Sequence, residues 1–96
     1  MSGITDRFRT GHISNEKVEA IPPNAYGLTP IECLTMSIVA VPGVIRVEIA
    51  PDPIGTMHWW RAELQYGCNV DVVMKAIDEA IDRCCDPARH TRAFHP

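Results

Sequence analysis

Residues 27 to 52 read GLTPIECLTMSIVAVPGVIRVEIAPD, and this stretch decides the fold. Thr29 is placed to cap a helix, with Pro30 at the first helical position, where a missing N–H costs nothing. Glu32 follows three residues after Thr29 and completes a capping box, adding negative charge to the first turn. Ile31, Leu34, Ile38 and Val41 recur at helical spacing. Cys33, Met36, Val39 and Ala40 widen that stripe, which predicts that most of the helix is buried. Pro42 and Gly43 end it. The period then changes to two. Ile45, Val47 and Ile49 fall on one side of a strand, and Val44, Arg46 and Glu48 on the other. Pro51, Asp52, Pro53 and Gly55 form a loop.

Downstream, Thr56 to Tyr66 alternates again. His58, Trp60, Ala62, Leu64 and Tyr66 are expected to face a core; Met57, Trp59, Arg61, Glu63 and Gln65 face water. The intervening loop is short, so the two strands pair as an antiparallel hairpin. Arg46 and Glu48 then share a face with Arg61 and Glu63 and form crossed pairs of opposite sign. Asn69 caps a second helix whose apolar stripe is Val70, Val73, Ile77, Ala80, Ile81 and Cys84. Asp71–Lys75 and Glu79–Arg83 have the spacing of ion pairs along its outer side. Asp86-Pro87 ends it, and His90 to His95 reads as a short last strand or a loose tail. Upstream, Glu16 to Ile21 reads as a weak strand with Val18 and Ala20 inward. Residues 1 to 15 read as a flexible or covering segment, in which Ser2 caps a helical turn through Arg9 that Gly11 ends, or as a frayed end.

The predicted order is strand, helix, strand, strand, helix, strand. Such a chain packs as one α+β domain over residues 1 to 96: a ferredoxin-like, split βαβ antiparallel sheet with two helices on one face. Ninety-six residues suffice for one modest core. A net charge of −3 offers no basic footprint for nucleic acid. No apolar run approaches the roughly 20 residues that span a membrane. Met1 to Thr10 is polar and charged, unlike a secretory leader. A cytoplasmic location is therefore expected, with Cys33, Cys68, Cys84 and Cys85 as thiols.

The chain resembles the heavy-metal-associated domains of copper and mercury chaperones. Those carry a G-M-x-C-x-x-C loop before the first helix and a P-G-V turn into the second strand. Gly27-Leu28-Thr29-Pro30-Ile31-Glu32-Cys33 lies over the loop, and Val41-Pro42-Gly43-Val44 over the turn. Val72 to Ile81 resembles the family's second helix, so the likeness covers residues 27 to 84. It implies the ferredoxin-like fold and a site for a soft ion such as Cu(I). Pro30 stands where the family has its first cysteine, so Cys33 alone carries over.

Three functional readings follow. The leading one is a non-enzymatic binding or regulatory module, without a cofactor, acting as a homodimer or on a protein partner. It would use the open sheet face: Trp59, Met57 and Val44 at the centre, with Arg46, Arg61, Glu48 and Glu63 giving register. The competing expectation for Trp59 is a cover made by Phe8 or Ile4. The second reading is a zinc- or copper-binding or thiol-redox module using Cys33, Cys84, Cys85 and His58, with His90 nearby. The third is a small enzyme with a pocket at His58, paired with Glu48 or Asp52.

Overall fold

The computed structural model describes residues 7–23 and 25–86. Its elements are β1 (Phe8–Ser14), α1 (Asn15–Glu19), α2 (Pro30–Val39), β2 (Val44–Pro51), β3 (Met57–Leu64) and α3 (Val70–Cys84). The architecture is α+β. The three strands form one antiparallel sheet in the order β1-β3-β2, with β3 paired on both sides. The expected last strand, His90 to His95, lies outside the described residues.

The two principal helices form for the reasons the sequence supplies. The Thr29 hydroxyl accepts from Glu32 N at 3.1 Å, and the Glu32 carboxylate accepts from Thr29 N at 2.8 Å. The capping box is complete, with Pro30 inside it. At α3, the Asn69 side chain accepts from Val72 N at 3.3 Å. Leu34 and Ile38 from α2 join Val73, Ile77, Ala80 and Ile81 from α3 over Trp60, Ala62 and Leu64 of β3. Val47 and Ile49 pack against the same cluster, so both helices cover one face of the sheet.

Five readings are corrected. Phe8 to Ser14 is a strand and not part of a helical turn. Gly11 sits within it, opposite Trp60. A Cβ at Gly11 would lie 2.5 Å from the Trp60 indole nitrogen, so glycine here admits a bulky ring against bare backbone. Glu16 to Ile21 is not a strand. Ser14 accepts from Lys17 N at 3.2 Å and caps the five-residue α1. Val18 is buried in the core cluster, whereas Ala20 is exposed.

In β2 the register shifts between Val44 and Arg46. The extra residue, Ile45, is turned out at 45% exposure, while Val44 is carried inward against the core. The simple alternation of Val44 and Ile45 is therefore reversed. β3 stops at Leu64, and Tyr66, expected inward, is exposed. Finally, α2 is not mostly buried: Met36 is 57% exposed and Val39 41%. No helix among the described residues is long and apolar enough to cross a membrane.

Candidate functional site

The face of the sheet away from the helices carries the first candidate surface. β3 contributes Met57, Trp59, Arg61 and Glu63, and β2 contributes Arg46 and Glu48. The hairpin register sets Arg46 opposite Glu63 and Glu48 opposite Arg61. Both crossed pairs close as ion pairs, at 2.8 Å and 2.6 Å. Glu63 takes a second cation, Arg7, at 2.6 Å. The Arg61 guanidinium lies over the Phe8 ring, 5.3 Å from its centre. Phe8 pairs with Glu63, whereas Trp59 lies between His12 and Ala50. Phe8 is thus engaged under Arg61, two residue pairs along from Trp59 on that face. Ile4 lies outside the described residues. Trp59 and Met57 are partly exposed. Val44 is not on this surface, because the bulge turns it to the core.

The second candidate is a groove between α2 and α3 of about 450 Å³. Its apolar walls are Leu28, Met36 and Ala80, with Tyr26 at the rim. Cys33, Ser37 and Cys84 lie along it, and Arg83 stands at one side. Cys33, near the start of α2, and Cys84, at the end of α3, therefore lie in one groove. Burial pushes the Cys84 thiol up; a hydrogen bond from Ser37 pulls the other way, and the nearby Cys33 adds to the rise. Burial, reinforced by Cys84, pushes Cys85 up to about 11, against a smaller opposing pull from Lys17. A protonated, desolvated thiol is a poor nucleophile and a poor ligand.

His58 is held elsewhere, its Nδ1 2.7 Å from the Asn15 side-chain oxygen at the start of α1. Among the described residues no three of His, Cys, Asp and Glu converge as a metal site would require. His90 lies outside them. The carboxylates that the sequence offers to His58 are engaged elsewhere: Glu48 binds Arg61 on the opposite face, and Asp52 accepts from Ile54 N in its own loop.

Sequence reasoning missed Tyr26, Leu28, Met36, Ser37 and Arg83 as groove residues. One signal was available: α2 is apolar on its outward side as well as its inward one, and an outward apolar side is unusual for a helix lying on a sheet.

No family model matches the chain, and no curated protein or solved structure matches it either.

Proposed function

We propose that this chain is a small, non-enzymatic binding module of ferredoxin-like fold that pairs with a second copy through the open face of its sheet. The fold reading is supported by the order β1-β3-β2, in which β3 separates two strands joined through a helical crossover. The observation that carries the function is Trp59. It stands on the central strand, partly exposed, on the face that the core cluster does not use. Tryptophan in such a position is a preferred anchor for association. The charges beside it are engaged with one another, Arg46 and Arg7 on Glu63 and Arg61 on Glu48, which lowers the cost of covering them. A two-fold contact would set Trp59 and Met57 of each copy against the same residues of the other.

Sedimentation of the wild type and of Trp59→Ala tests this. A dimer that becomes a monomer in the variant, with an unchanged circular dichroism spectrum, is the expected result. A monomer in both removes the proposal.

A further inference from the structure

The groove between α2 and α3 lies on the helical side of the molecule, away from the sheet surface invoked above. Its walls are apolar where they need not be. Met36 is 57% exposed and Tyr26 87%, and Val39, 41% exposed, continues the same side of α2. Polar residues at these positions would leave the core unchanged. The groove's volume, about 450 Å³, falls within the roughly 300–1,000 Å³ of sites that take small molecules.

Its chemistry specifies the occupant further. Among the described residues Arg83 is the one charged side chain along the groove. The sequence spacing offers it Glu79 as an ion-pair partner, but among the described residues no ion pair to Arg83 forms, while Lys17 binds Asp82 at 3.4 Å. The other polar groups present no competing charge: Ser37 donates to Cys84, whose thiol stays neutral. An apolar trough edged by an exposed guanidinium that forms no ion pair among the described residues complements a molecule with a hydrocarbon body and one acidic head.

We propose that this groove binds a small amphiphilic monocarboxylate, its hydrocarbon body against Leu28, Met36 and Tyr26 and its carboxylate on Arg83. Arginine gives a carboxylate a paired, directional contact that a neutral head group cannot use. A neutral amphiphile of equal length therefore binds more weakly, and its binding does not depend on Arg83.

The test titrates decanoate, and separately decan-1-ol, into the isotopically labelled full chain, following backbone amide shifts below the concentration at which either probe aggregates. Decanoate is expected to saturate, with its largest shifts at Leu28, Met36, Ala80 and Arg83. Arg83→Gln should weaken decanoate about tenfold and leave decan-1-ol unchanged; Met36→Gln should weaken both. Both side chains are exposed, so the amide spectra of the variants should otherwise match the wild type. Trp59→Ala should leave decanoate affinity unchanged, which keeps this site separate from the pairing surface. The proposal is overturned by the absence of saturation, by shifts centred on Trp59, or by equal decanoate affinity in Arg83→Gln. Groove shifts that follow protein concentration alone also overturn it, because a second copy would then be the occupant.

Discussion

α2 and α3 lie side by side on one face of the sheet, and they are opposite kinds of helix. α3 buries Val73, Ile77, Ala80, Ile81 and Cys84 and turns Asp71, Lys75, Asp78, Glu79, Asp82 and Arg83 away from that stripe. Its outside is mostly charged, with Val72, 63% exposed, as the exception. α2 buries Leu34 and Ile38, carries Glu32 as its one charge, and leaves Met36 and Val39 exposed. The inward stripes are alike and do the same work. What separates the helices is the side that folding does not use. α3 leaves Val72 as a single exposed apolar side chain among charged ones, whereas α2 leaves Met36 and Val39 exposed beside one charge, and the groove sits where the two meet.

This contrast can be broken from the inside first. Leu34 and Ile77 are both 0% exposed, one from each helix. Truncating either to alanine should cost about 2–5 kcal/mol by urea denaturation, since each leaves a cavity between helix and sheet. A large loss for only one would mean that the helices do not share a core. Gly43 joins the two. It has φ 97°, and a Cβ there would lie 2.8 Å from Val73 of α3. Gly43→Ala should therefore cost more than about 1 kcal/mol, and a neutral result would loosen the contact between the α2–β2 turn and α3.

The caps give a finer comparison. Thr29→Ala removes half of a reciprocal box, and Asn69→Ala removes one longer bond at 3.3 Å. Each should cost about 1 kcal/mol, with Thr29 the larger. The smallest effect is one of pH at the α3 end. Cys84 and Cys85 keep their protons in the fold at pH values where the unfolded thiols lose theirs. The native state then binds more protons than the unfolded one, so stability falls as pH rises. The urea midpoint should be level below pH 9 and decline toward about 11, less steeply in Cys85→Ala. A flat profile in the wild type would show that these thiols are solvated.

Much of this was legible beforehand where several signals agreed. Thr29, Pro30 and Glu32 mark one helix start in three ways, and α2 begins there. Alternation through Trp60, Ala62 and Leu64 gave the face of β3, and the crossed Arg–Glu pairs followed from it. The failures came where one signal stood alone. Ser14 is a lone cap signal with no capping-box partner, and the weak alternation of Glu16 to Ile21 outweighs it in the sequence, whereas the structure forms α1 there. Gly11 alone has the look of a helix stop, and only its pairing with Trp60 shows it to be an accommodation within a strand. The bulge at Ile45 has no local mark, because valine and isoleucine suit either face; only the pairing with Leu64 decides which turns inward. The groove was hidden for a related reason. Met36 and Val39 look like core until α3 is seen to occupy only one side of α2.

The central position of β3 has a consequence for how the chain assembles. β2 and β3 are neighbours in sequence and can zip together early. β1 has no such neighbour: Arg7 and Glu63, joined by an ion pair, are 56 positions apart. During synthesis β1 leaves the ribosome well before β3 and must wait, unmatched, until nearly the whole of its counterpart has emerged. Its own sequence suits the delay, since Arg9, Thr10, Gly11 and His12 offer little for a stray strand to hold.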